Sequence, residues 1–335
     1  MAVVDTPAPV PAPAADDRPR AIVTRVSASD KVFRGILRGA GLAVLVITAS
    51  ILAFLVLRSL SAFREMGFSF FTTPTWYIST KQYGLASILP LGILVAVIAL
   101  IIAVPMGIAA ALFISEYAPP RLRRVLIAVI DLMAATPSII VALFGFYFVM
   151  PRILGFASWL SHHLGFIPVF KFALQNSPGN YATSTFIAGV MVSVLVIPII
   201  TSLSRQVFSQ APQGEREAAY ALGATRWGMI RTVVLPYGRA GMIGASMLGL
   251  GRALGETIVV SFILTQTFRF TIHVLETGGN SVTAMIANRI LEAGKTEISA
   301  LMALGMALFV MTLGVNTIAA ILINRSRSGA TASAD

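Results

Sequence analysis

Cysteine is absent from the chain. That excludes a disulfide framework, a thiolate metal site and a cysteine nucleophile. Charge is scarce too: Asp, Glu, Lys and Arg together make up 12% of the residues, about half the share of a soluble domain. The 3 histidines, His162, His163 and His273, fall between the apolar runs rather than inside them, which argues against haem ligation within a helical bundle. What the chain has in abundance is apolar surface. It is 56% hydrophobic, so most of it must lie in lipid. The net charge of +11 does not point to nucleic acid, because the Lys and Arg sit in short loops between apolar runs and not along one polar face. The expected partner surface is a bilayer, with no nucleic acid.

A spanning helix needs about 20 predominantly apolar residues. Four uncharged runs, 41–57, 85–115, 181–204 and 298–324, meet or approach that length. Two further runs carry charge: 125–151 contains Asp131, and 240–268 contains Arg252 and Glu256. In lipid every backbone polar group must be satisfied within the segment, so these runs are expected to be helices. The alternating ten-residue segments of a β-barrel are missing. An all-α integral membrane fold with six transmembrane helices follows. Residues 1–34, rich in Pro and Ala, are expected to be a disordered cytoplasmic tail without a cleavable signal. Residues 35–82 hold the first transmembrane helix and an outer segment, 83–324 a core with five transmembrane helices, and 325–335 a cytoplasmic C-terminal tail. Lys and Arg are concentrated at Arg18 to Arg38, Arg121 to Arg124, Arg205 to Arg239 and Arg325 to Arg327, which sets both termini in the cytoplasm by the positive-inside rule. Trp76, Tyr77 and Trp159 then lie near the outer interface, and His162, His163 and His273 fall in outer loops.

The loop 211–236 between the fourth and fifth spans carries helix punctuation. Pro212 suits a first helical turn, Glu215 and Glu217 sit at the positive end of its dipole, and Gly223 suits the left-handed residue that ends a helix. Thr225 can cap a second helix, with Trp227, Ile230 and Val234 on one face until Pro236 stops it. Taken from these residues alone, the loop is as readily an interfacial connector as a docking element. The pattern Glu217-Ala218-Ala219, Gly223, Ile230, Leu235-Pro236 resembles the EAA signature of importer permeases in the ATP-binding-cassette (ABC) superfamily. The segments Ser115-Glu116-Tyr117-Ala118-Pro119, Ala135-Thr136-Pro137-Ser138-Ile139 and Gly251-Arg252-Ala253-Leu254-Gly255-Glu256-Thr257 resemble those of the phosphate-specific permeases of PstC type.

That resemblance covers roughly residues 84–324. It implies the type I ABC importer permease fold, with Glu217, Ala218, Ala219 and Gly223 on a cytoplasmic coupling helix that docks on an ATPase. It also implies a multi-pass protein of the cell inner membrane that moves inorganic phosphate into the cytoplasm by alternating access. The implied partners are a second permease of PstA type, two ATPase subunits of PstB type and an external phosphate-binding protein of PstS type. No cofactor is expected on this chain, since ATP belongs to the ATPase, and the chain itself is no enzyme.

An ionisable group within a span costs several kcal/mol unless it is paired or lines water. Arg252 and Glu256, four apart, should share one helical face and pair, either to locate the helix or to meet the anion. With Thr257 they form the expected anion pathway, because a guanidinium suits bidentate phosphate contacts. Gly249, Gly251 and Gly255 would let another helix approach closely. Pro137 should bend or open the third span, with the Thr136 and Ser138 hydroxyls helping to satisfy the freed carbonyls. Two glycine patterns mislead. Gly294-Lys295-Thr296 lacks the leading Gly of a phosphate loop, where Arg289 stands, and the glycines from 249 miss the dinucleotide spacing by one. A stand-alone secondary transporter would also fit the charged, Pro-broken spans. The EAA-like loop argues against it, and the lack of convergent catalytic groups argues against a membrane enzyme.

Overall fold

The structure, a computed structural model, describes residues 27–171 and 182–331. Among the described residues, six helices are long and apolar enough to cross a membrane. The chain divides into two compact units at Ile51. The first helix, α1 (Ala28–Met66), starts inside the stretch expected as a tail, since Asp30 favours its first turn. Residues 1–26 lie outside the described ones. Up to Ile51 every side chain of α1 is exposed, as an apolar helix facing lipid would be.

In the second unit, α2 (Ser69–Thr72) leads to a two-stranded antiparallel hairpin, β1 (Trp76–Tyr77) with β2 (Gln82–Tyr83). Then α3 (Ile88–Leu112) runs into a π-helical turn, Phe113–Tyr117. The helix α4 (Pro120–Ala135) follows, with no buried residue. The expected third span, 125–151, is not one helix. Thr136 and Pro137 take extended backbone, and the Thr136 hydroxyl donates to Leu132 O at 3.1 Å. A proline ring clashes with the preceding turn, which ends α4 there. Beyond the break α5 (Ser138–Phe144), a π turn at Gly145–Val149 and α6 (Met150–Leu164) form one continuous helix, and this is the third one able to span. Asp131 therefore stands outside it, and His162 and His163 belong to its last turn rather than to a loop.

After the segment 172–181, which lies outside the described residues, α7 (Thr185–Ser209) is capped by the Ser184 hydroxyl accepting from Ile187 N–H. It packs along α3. Ala99, Ala103 and Gly107 fall at four-residue steps on α3, and this row of small side chains lets the two axes come close. A Cβ at Gly107 would lie 2.8 Å from Ile200 Cγ2, and one at Gly189 would lie 2.5 Å from Ile98 Cγ2. The main core forms around this contact, from Ala96 and Ala99 to Met191, Val196 and Ile200, and Val259, Val260 and Ile263 complete it.

Two short helices, α8 (Gln213–Ala221) and α9 (Arg226–Met229), precede a π turn at Ile230–Val234 and α10 (Leu235–Gly255). Pro236 does not stop a helix, contrary to expectation. It sits in the first turn of α10, and the wider π turn ahead of it removes the need for its missing N–H. The fifth span is thus Arg226–Gly255, not 240–268. Then come α11 (Ile258–Ile263), α12 (Val282–Arg289) and α13 (Lys295–Thr331), which carries the last span and extends into the stretch expected as a tail; residues 332–335 lie outside the described ones.

The hairpin is tied to α12 and α13. Trp76 Nε1 donates to Glu297 Oε1 at 3.1 Å, and Arg289 donates to the same oxygen through Nε at 3.0 Å and Nη2 at 2.8 Å. Tyr83 packs against Trp76 with the rings tilted at 56°, and burial together with the Glu297 carboxylate pushes its phenol pKa up. Ser299 in α13 receives the Ala62 N–H and donates to Arg58 O at 2.7 Å, which fixes the end of α1.

Candidate functional site

The loop after α7 folds locally, as its punctuation predicts. Gly223 has φ +80°, and Gly223 N–H reaches Tyr220 O at 2.9 Å while Ala224 N–H reaches Ala219 O at 3.0 Å. This pair of bonds is a Schellman motif, which satisfies the last carbonyls of α8 and needs a left-handed residue. Thr225 then caps α9 by accepting the Gly228 N–H at 3.1 Å. Glu217 and Ala218 are exposed, Ala219 is buried, and Tyr220, Leu222 and Trp227 hold large apolar surface out to the surroundings. Trp227 is 56% exposed whereas Ile230 and Val234 are fully buried, so the three do not share one face as expected.

Sequence reasoning used Glu116 only as a family marker. In the structure its side chain is 4% exposed and accepts from Arg216 Nη1 at 2.7 Å. Arg216, in the first turns of α8, also donates from Nη2 to Phe208 O at 2.6 Å and from Nε to Ala211 O at 3.3 Å. These two residues and Ser115, Gln213, Glu217, Tyr220, Arg226 and Met229 line a cleft of about 300 Å³. The arrangement has no nucleophile poised against a base. It braces α8 against the ends of α3 and α7.

At the end of α10, Arg252 and Glu256 are close but not on one helical face. The helix stops at Gly255 and Glu256 turns extended, with ψ 121°. Two contacts hold this exit: the Glu256 carboxylate accepts the Val259 N–H at 3.3 Å, and Glu256 O accepts from the Thr283 hydroxyl at 2.9 Å. Arg252 Nη2 lies 3.5 Å from Glu256 Oε2, with the arginine side chain 45% exposed and the glutamate 5%. The guanidinium is therefore only loosely engaged. Thr257 leads into α11, its hydroxyl donating to Gly255 O at 3.3 Å. On the same stretch Ser261 donates to Asn288 Oδ1 at 2.7 Å, and Thr265 donates to Thr183. No sequence motif pointed to this row of hydroxyls. Of the three glycines expected to let a helix approach, only Gly249 does so, with a Cβ there meeting Val196 and Ile200; Gly251 and Gly255 face open space. Thr136, Pro137 and Ser138 form the α4 to α5 break, and α5 packs against α11, the helix that follows Thr257.

The pattern that defines the binding-protein-dependent transport system inner membrane components matches residues 103–328. The chain belongs to this family. The matched stretch of the permease includes α8, Gly223, Arg252 and Glu256 and excludes α1. The permease is 38% identical over 294 residues to the phosphate transport system permease protein PstC 2 of Mycobacterium tuberculosis, covering 87% of this chain and 90% of that protein. It is 36% identical over 302 residues to PstC of Xylella fastidiosa, covering 90% and 92%, and 38% identical over 287 residues to PstC of Haemophilus influenzae, covering 85% and 90%. These relatives bear out the resemblance carried by the motifs around Glu116, Thr136 and Arg252. A solved bacterial ABC transporter involved in the import of the acidic polysaccharide alginate superposes with TM-score 0.54 at 18% identity, over 88% of this chain and 99% of that one. The permease has the type I ABC importer fold.

Proposed function

We propose that this chain is one of two permease halves of an ATP-driven importer that carries inorganic phosphate inward by alternating access. The similarity to PstC proteins along most of the chain carries this reading, and the loosely held guanidinium of Arg252 supplies its chemistry. The partners would be a second permease of PstA type, two ATPase subunits of PstB type docking at α8 and Gly223, and a phosphate-binding protein of PstS type on the outer side. Both termini then face the cytoplasm. ATP binds and is hydrolysed on the ATPase pair, whose closure switches the permease from inward- to outward-facing. No bond of phosphate is made or broken.

Arg252, Glu256 and Thr257 form the anion pathway in this scheme. A planar guanidinium grips two oxygens of a tetrahedral anion, which an ammonium cannot do. Between cycles Glu256 neutralises the guanidinium. At 3.5 Å and with Arg252 exposed, that pair is weak enough for an anion to displace. Glu256 stays in place when Arg252 moves, because the Val259 N–H holds it.

Phosphate uptake by proteoliposomes holding the complete transporter tests the reading. Arg252→Gln is expected to stop uptake with the complex still assembled, also when Glu256→Gln removes the stranded charge, and Arg252→Lys to restore part of it. Full uptake by the double Gln variant would make the pair architectural. Failure to co-purify with any ATPase would favour a secondary transporter.

A further inference from the structure

We infer that Glu116 and Arg216 form the joint through which movement of α8 is passed to the second and fourth apolar helices. The inference rests on the permease reading above. One guanidinium binds three separate stretches of chain: the π turn that extends α3, through Glu116 at 2.7 Å, the last turn of α7, through Phe208 O at 2.6 Å, and the connection to α8, through Ala211 O at 3.3 Å. Around it lies an apolar cluster of Ala111, Phe208, Ala219, Met229 and Ile230, whose contacts hold the parts together without fixing their direction. Charge-assisted hydrogen bonds do fix direction, so the guanidinium makes α8 move with the ends of α3 and α7 instead of sliding over them.

Burial makes the joint hard to release. Glu116 is 4% exposed and no other cation among the described residues stands within ion-pair distance of it. Its Oε2 holds Arg216, while Oε1 is buried with no hydrogen-bond partner. The grip is therefore through one oxygen, and the second, buried acceptor is left for a bidentate hold when α8 tilts. The neighbouring residue divides the work: Arg216 turns inward with its side chain 20% exposed, and Glu217 is exposed on the face left for a partner.

Glu116 and Arg216 are positioning residues, so the test reads coupling rather than cargo binding. In proteoliposomes holding the complete transporter, phosphate uptake and ATP hydrolysis are measured together for Glu116→Gln, Arg216→Gln and the double variant. Each single variant should raise the ATP spent per phosphate by about fivefold or more, with the ATPase subunits still co-purifying, and the double variant should be no worse than either single one. An unchanged ratio in Glu116→Gln, additive losses in the double variant, or loss of the ATPase from the complex would each overturn the joint. Uptake by the wild-type complex checks the permease reading independently, so a transporting wild type with a normal variant ratio refutes the joint alone.

Discussion

Gly223 allows local shape to be separated from docking. Its φ of +80° lies where an L residue loses about 1–2 kcal/mol, or about 5- to 30-fold in the population of the turn. A Cβ built there meets no atom within 4 Å, so Gly223→Ala carries the backbone cost and no clash within this chain. Asn tolerates the left-handed region better than Ala does. If the turn only shapes α8, Gly223→Asn should transport nearly as well as wild type and Gly223→Ala should be worse. If a partner packs against the turn, as proposed, any side chain fills that contact, and Gly223→Asn and Gly223→Asp should both lower uptake by about 10-fold or more, the effect of losing ~1.4 kcal/mol at the interface. Insertion in the membrane should be unchanged. Uptake in cells, with pull-down of the ATPase, reads both. Wild-type uptake and undiminished ATPase association in Gly223→Asn would refute docking at this turn.

Glu297→Ala should strand the Trp76 N–H and the Arg289 guanidinium and lower stability by about 2–3 kcal/mol, less than for a fully buried pair because Arg289 keeps 28% exposure. Thermal unfolding in detergent checks it, and an unchanged midpoint counts against the hairpin lock. Gly189→Ala should cost about 1–3 kcal/mol by overpacking α3 on α7, whereas Gly251→Ala, with open space around it, should leave the melting of the isolated chain unchanged. With no native cysteine, Ser79→Cys should react with an impermeant thiol reagent on intact cells and Ser209→Cys should not; the reverse pattern would invert the orientation.

The sequence by itself determined much that depends on neighbours along the chain, though not the effect of Pro236, which starts α10 instead of stopping a helix. Apolar runs of spanning length must be helical in lipid, whatever surrounds them, and the turn at Gly223 and the cap at Thr225 arise from side chains within three residues of the groups they serve. Pro137 is similar, because its ring excludes the helix at the residue before it. The limits of this reasoning show at Glu256. A run of apolar residues gave no reason to end α10 at Gly255, and the exit is held in part by Thr283, 27 residues on, on a helix whose position no local rule supplies. The same holds for Arg216 with Glu116, 100 residues apart, and for Trp76 with Glu297, 221 apart. Each is a buried polar group that must find a partner, and the sequence names the need without naming the partner. Only the packing of α3 on α7, and of α12 and α13 on the hairpin, brought those groups within hydrogen-bond reach.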